Sequence, residues 1–455
     1  MNPEEMTHTG LQTMDPQCMR RVTEDTFVPA MLADMKTNHV GAGEAWTNQV
    51  QDVYMTPLRI PAETPVAWSD AQVHDIIARN PSLEKDDFLL PNEDRPFPIV
   101  GTTLVGPAAG APYTAGDGSN RNFSMIEMTP MYVGTMHTED MEYQYKHGLK
   151  HTIRVGGTVE SFAFSRSGEG PKHGLAAGDS TGLLTVPRTK RHDALDASHM
   201  ASASSFAIGA FVDTMPYKFP ENASLHFNYW SPADSKPTTR DTLFADGGCY
   251  ENILVTSMLQ RRVEKIVLFF NVHTPLQPAS TWDVYSDPPS KTQVARDLAA
   301  FFGVEPLDYD EWEYRGFDVS HNQVWPTDQW PVLITALQEA QAKGRGTLAS
   351  LKLTSVENKL WGIPAGIETE VTFVYLSRLF DWESRLPDDL YAEFVPEDPQ
   401  DAQNAAITKG TGPFKGFPHY PTICAGENNE RANALADLTG WTIFQHKDLF
   451  TSILS

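Results

Sequence analysis

The sequence predicts an α/β protein with a mostly parallel central sheet flanked by helices. The stretch "FADGGCYENILVTSMLQRRVEKIVLFFN", Phe244 to Asn271, reads as strand, turn, helix and strand in succession. Two further runs, "PFPIVGTTLVG" (96–106) and "TEVTFVYLS" (369–377), are apolar with little alternation, the pattern of strands covered on both faces.

Taken in order, residues 1–60 predict helix, with Trp46, Val50 and Val53 at helical spacing before a proline break. The 96–106 strand is followed by a Gly/Pro/Ala/Asn loop over 106–122. After it, "FSMIEMTPMYVG" is extended and runs into a turn or short helix at Thr129-Pro130. The stretch 165–196 is polar and Gly-rich, a lid or mobile loop. "SASSFAIGAFVD" (202–213) is small-residue rich with one apolar face and predicts a core helix.

The central unit follows. "TLFADGG" gives a short strand and turn, and Leu254, Met258, Leu259 and Val263 stripe a helix over 251–262. "KIVLFFNV" then gives a buried strand, so the three make a right-handed βαβ crossover with parallel strands. Ser290 and Gln293 form a capping-box pair, with Gly303 at a helix stop. An Ala- and Gln-rich helix runs from Thr327 to Gly344, and the C-terminus predicts a helix pair. No repeat or composition break demands a division, so 1–455 is expected to form one domain.

Composition narrows the function. Lys plus Arg number 35 against 59 Asp plus Glu, a net charge of −24 that repels nucleic acid and anionic lipid but leaves neutral or zwitterionic lipid open. Hydrophobic residues make up 40%, enough for a sizeable core. The three cysteines, Cys18, Cys249 and Cys424, are dispersed and odd in number, which points to a reducing, cytoplasmic setting. There is no apolar run of about 18 residues, so no transmembrane segment is expected. No metal or cofactor is expected either: His192 and His199 flank Asp193 and Asp196 without zinc spacing, and "DGSNRN" at Asp117 lacks the glycine and terminal glutamate of a calcium loop.

The chemistry centres on Asp246. At the carboxyl end of a strand, followed by Gly247 and Gly248, it is either a turn residue or a catalytic carboxylate. The stretch from Asp246 through Asn252 to "RRVEKIVLFF" resembles the Asp segment of the cytosolic phospholipase A₂, lysophospholipase and patatin-like acyl hydrolases. Other pieces follow the order of that family: "FSMIEMTPMYVG" with Thr129 and Pro130, "VGGTVESFAF" with Gly156 and Gly157, "SASSFAIGAF" with Ser204 and Ser205, and "FPHYPT" near the end. The resemblance implies a patatin/phospholipase-like fold and hydrolysis of a lipid or lipid-like carboxylic ester by a Ser-Asp dyad. Asp246 would be the base, and Gly247, Gly248, Asn252, Ser204, Ser205, Thr129, Pro130, Gly156 and Gly157 the surrounding scaffold.

A nucleophile is harder to find. The one G-x-S-x-G, Gly178 to Gly182 around Ser180, lacks the strand before and the helix after that an elbow needs, and Pro187 follows. No Gly-rich oxyanion loop precedes it. Three readings therefore stand: a hydrolase completed by a protein partner or further sequence carrying the nucleophile, an inactive relative serving as a lipid-binding or structural subunit, or a turn without chemistry. The chain alone is expected to show no ester turnover.

Overall fold

The computed structural model describes residues 27–56, 59–92, 95–108, 113–115, 123–144, 149–165, 195–206, 225–235, 239–286, 288–307, 319–396, 405–420 and 429–454. They fall into two compact units, one over Pro29–Asn252 and the other from Ile253 onward.

The first unit opens with helices α1 (Phe27–Asn38) and α2 (Ala42–Val50), where Val50 and, in the π turn that follows, Val53 are buried as their spacing predicts. Helix α3 (Asp70–Arg79) starts at Ser69, whose hydroxyl accepts the Gln72 amide at 3.3 Å, and it buries Val73 and Ile76. The strands are β1 (Val100–Pro107), β2 (Tyr113–Ala115), β3 (Ser124–Met128), β4 (Tyr132–Gln144) and β5 (Lys150–Glu160). Helix α4 (Ala197–Ser205) and strands β6 (Leu225–Tyr229) and β7 (Arg240–Asp246) complete the unit.

These seven strands form one sheet in the order β5-β4-β3-β1-β7-β6, with β2 paired to the far end of β4. Every pairing in it is antiparallel. The sheet curls toward closure: on edge strand β5, the Gly156 carbonyl accepts both the Ala233 amide and the Ser231 hydroxyl at 3.1 Å, just past the opposite edge strand β6. One face packs Leu104, Ile126, Leu225, Phe227 and Phe244 against Met200 and Ala203 of α4, with Phe164 edge-on to Phe244.

The second unit holds α5 (Val255–Gln260), β8 (Lys265–Phe270), α6 (Arg296–Ala300), α7 (Trp330–Ala342), β9 (Leu348–Thr354) and β10 (Glu368–Tyr375). It continues with α8 (Phe380–Glu383), α9 (Asp388–Phe394), α10 (Asn429–Gln445) and α11 (Lys447–Leu454). Its sheet runs β8-β10-β9, parallel between β8 and β10 and antiparallel between β10 and β9. Phe270, Phe301, Phe373 and Trp325 form one aromatic core, and Trp382, Phe394, Phe417 and Trp441 form another. The buried Arg378–Glu383 pair is held through two hydrogen bonds, one at 2.8 Å.

The expected mostly parallel α/β sheet is therefore corrected. Among the described residues the larger sheet is antiparallel, and β8–β10 is the one parallel pairing between named strands. The predicted crossover fails for a specific reason. β7 spends both hydrogen-bonding edges within its own sheet, with Phe244 opposite Leu104 of β1 on one side and Leu225 of β6 on the other. No edge remains for β8, which pairs with β10 in the second unit. The helix between them covers only Val255–Gln260 rather than 251–262. The small-residue helix starts earlier than expected, since α4 begins at Ala197 and ends at Ser205, and residues 207–213 of the expected span lie outside the described residues. Ser290 and Gln293 make half the expected box: Gln293 Oε1 accepts the Ser290 amide at 2.8 Å, yet α6 starts only at Arg296.

Candidate functional site

β7 ends at Asp246, and the chain then winds into a single 3-10 turn, Gly247–Cys249. Asp246 Oδ1 accepts the Gly248 amide at 2.7 Å and so caps that turn. Among the described residues no other group hydrogen-bonds this carboxylate, and Asp246 is only partly buried. One oxygen is thus pinned, and the other accepts no hydrogen bond from the described residues. Burial pushes the carboxyl up from 3.8 to about 6, against the opposing pull of the Gly248 amide. A carboxylate with that proton affinity exchanges protons close to neutral pH, where a general base works best.

The turn depends on the two glycines for close approach. A Cβ on Gly247 would lie 2.6 Å from the Gly101 carbonyl oxygen, a backbone atom of β1 that cannot retreat. A Cβ on Gly248 would lie 2.2 Å from Asn252 Oδ1 and 3.1 Å from Asp246 Oδ1, so the bare glycine lets the Asn252 carboxamide fold over the turn toward Asp246. Two threonines of β1 fix the strand end. Thr103 Oγ1 donates to the Asp246 carbonyl at 2.8 Å, and Thr102 Oγ1 lies 2.9 Å from the carbonyls of both Ala245 and Ala203. Thr102, the register partner of Asp246, thereby joins the C-terminal turn of α4 to the carboxyl end of β7.

Residues that the sequence reading did not single out surround this end of the sheet. Glu127, at the end of β3, is fully buried and accepts the Tyr132 hydroxyl at 2.7 Å. It opposes Gly101, while Asp246 opposes the next residue, Thr102, so strand alternation sends the two carboxylates to opposite faces and they do not share a proton. Tyr250 is fully buried. Its hydroxyl is held well above its ordinary range, first by burial and then by the charges of Glu251, Glu127, Asp246 and Cys249, so it stays a neutral phenol. A signal for Glu127 was present: a lone charge inside the apolar run "FSMIEM" is either solvent-facing or deliberately buried.

The other expected scaffold residues divide. Thr129 and Pro130 close the β3–β4 hairpin at the same sheet end as Asp246, with Thr129 Oγ1 accepting the Tyr132 amide at 2.8 Å. Gly156 and Gly157 lie elsewhere: they sit on β5 opposite the bulge of β4 between Thr135 and Glu139, and Gly157 faces Pro232, past the end of β6 that pairs with the start of β7. They bend the sheet rather than line the site. Ser205 is committed, donating to the Ala201 carbonyl at 2.8 Å and accepting the Trp46 indole at 3.2 Å. Ser204 is half-buried on the α4 turn beside β7 but does not hydrogen-bond Asp246. Ser180 with its G-x-S-x-G, His192, Asp193, Asp117, and nearly all of the 165–196 stretch lie outside the described residues. Asp196 caps α4, accepting the His199 amide at 2.8 Å, and His199 Nδ1 lies 2.8 Å from the same oxygen. The "FPHYPT" histidine, His419, belongs to the second unit, where its Nδ1 contacts the Val272 carbonyl at 2.8 Å and burial lowers it to about 4.

Among the described residues no group of three or more His, Cys, Asp or Glu side chains is placed to hold a metal ion. No helix among them is long and apolar enough to cross a membrane. No protein-family model, curated protein or solved structure matches the chain.

Proposed function

We propose that this chain carries the proton-accepting carboxylate of a lipid-directed carboxylic-ester hydrolase, with Asp246 as the base and the attacking hydroxyl supplied by a partner chain. The observation that carries the reading is the state of Asp246: one oxygen pinned by the Gly248 amide, the other without a hydrogen bond from the described residues, and a proton affinity raised to about 6. The reaction class comes from the motif resemblance around Asp246 to Phe270. It does not come from sheet topology, which differs from the layout that resemblance implies. A serine hydroxyl brought within about 3 Å of the second oxygen would pass its proton to Asp246 as it attacks the ester carbonyl. Asp246 would pass that proton to the departing alcohol as the ester C–O bond breaks to leave the acyl-serine. Water would then attack the acyl-serine, giving its proton to Asp246, which returns it to the serine oxygen as the carboxylic acid leaves. Tyr250 and Asn252 would steady the carboxylate's surroundings. A cytoplasmic setting is part of the proposal and rests on the dispersed cysteines.

A second reading is favoured by one observation. No described hydroxyl hydrogen-bonds the Asp246 carboxylate, which suits a non-catalytic lipid-binding or structural subunit equally well. The test is turnover of a short-chain ester and a lysophospholipid by the purified chain, alone and with a candidate serine-bearing partner. Alone, background rates are expected. With the partner, turnover should appear and fall by roughly 10²–10⁴ in Asp246→Asn. Turnover indifferent to that substitution would contradict the proposal, and background rates in every mixture would favour the binding subunit.

A further inference from the structure

The second unit contains a cavity of about 20 Å³ at the end of its sheet where β10 finishes and β9 begins, and its lining includes Thr347, Ser377, Leu438 and Thr442. Thr347 immediately precedes β9, and its carbonyl accepts the Tyr375 amide at 2.8 Å. Ser377 lies two residues past the end of β10. Both side chains are withdrawn from solvent, at 1% and 3% exposure, and neither Thr347 Oγ1 nor Ser377 Oγ has a hydrogen-bond partner among the described residues. Folded proteins seldom leave two neighbouring buried hydroxyls unsatisfied.

The cavity supplies what they lack. One water needs roughly 10–15 Å³ of such space and two to four polar partners. The volume suffices for one water. Two hydroxyls that can each donate or accept stand ready, and Thr442, whose Oγ1 donates to the Leu438 carbonyl at 3.0 Å, is a further polar residue of the lining. Leu438, Leu379 and Val374 supply apolar walls that hold the molecule in place.

We propose that this cavity is a built site for a single internal water that bridges Thr347 Oγ1 and Ser377 Oγ. The water joins the start of β9 to the end of β10 beneath α10, where direct contact between the two hydroxyls is absent. The proposal is independent of the chemistry assigned to Asp246.

A high-resolution crystal structure of the full chain tests it, with Thr347→Val and Thr347→Ser examined alongside. One ordered water within roughly 2.5–3.0 Å of both hydroxyls is expected. Thr347→Ser should retain it and Thr347→Val should lose it. An empty cavity, a direct hydrogen bond between the two hydroxyls, or an unchanged water in Thr347→Val would each overturn the assignment.

Discussion

Replacing Asp246 by Asn separates a functional carboxylate from a turn cap. The asparagine keeps an oxygen for the Gly248 amide, now met by Asp246 Oδ1 at 2.7 Å, and removes only the charge. In the folded chain burial raises the carboxyl from 3.8 to about 6, so the folded state holds its proton more tightly than the unfolded state does. The sign follows: the stabilising contribution is present below pH 3.8 and is lost as pH rises through about 6. At 1.36 kcal/mol per pH unit the loss is on the order of 3 kcal/mol, reduced toward about 2 by the partial exposure of the group. Asp246→Asn abolishes that dependence. Its stability relative to the native chain should therefore rise by roughly 2–3 kcal/mol between about pH 4 and about pH 7.5. The assay is urea unfolding of both proteins across that range, read as a difference so that His419 and every other titrating group cancels. A variant destabilised by the same roughly 1 kcal/mol at both ends would refute the reasoning and leave Asp246 as a cap of the 247–249 turn.

Further outcomes are expected from neighbouring positions. Gly247→Ala drives a Cβ to 2.6 Å from the Gly101 carbonyl oxygen and should cost about 1–3 kcal/mol in thermal or urea unfolding. Gly248→Ala meets the movable Asn252 side chain at 2.2 Å instead, so it should cost less while displacing Asp246 and changing its titration. Glu383→Leu strands Arg378, whose side chain is 2% exposed, and should destabilise by roughly 3–5 kcal/mol, whereas an unchanged melting temperature would remove the pair from the account of the second unit. A fluorophosphonate probe should leave Ser180 unlabelled. Labelling lost in Ser180→Ala would make that serine the nucleophile.

How much the sequence disclosed depended on the range of the interactions concerned. "KIVLFF" and "TEVTFVYL" were legible as strands from their apolar runs, but only β10 is buried nearly throughout. β8, expected to be fully buried, buries Ile266, Leu268 and Phe270 and leaves Lys265 and Phe269 exposed. Gly344 marked the end of α7 through local backbone chemistry, and its φ is +70°. Partnership was not legible. "TLFAD" is equally apolar whether its neighbours run parallel or antiparallel, and only the long-range pairings of Phe244 with Leu104 and Leu225 decide the matter. β5, β6 and β9 escaped notice because their burial alternates or is broken by polar residues, as in "LHFNY" and "LASLKLT". Asp246 was found from its strand–turn context, and the structure keeps it at the strand end. Glu127 joins it only through a register between segments more than a hundred residues apart, which no local pattern records, whereas Tyr250 stands only four residues along the chain and no pattern marked its burial.

The claim on which the functional account rests is that Asp246 is held as a proton acceptor close to neutrality. A carbon-13 carboxyl titration of the aspartate-labelled chain, with the resonance assigned by its absence in Asp246→Asn, measures this directly. A midpoint of about 6 is expected. A midpoint at or below the ordinary 3.8 would contradict the account, because a carboxylate stabilised in its charged form there is a cap and not a base.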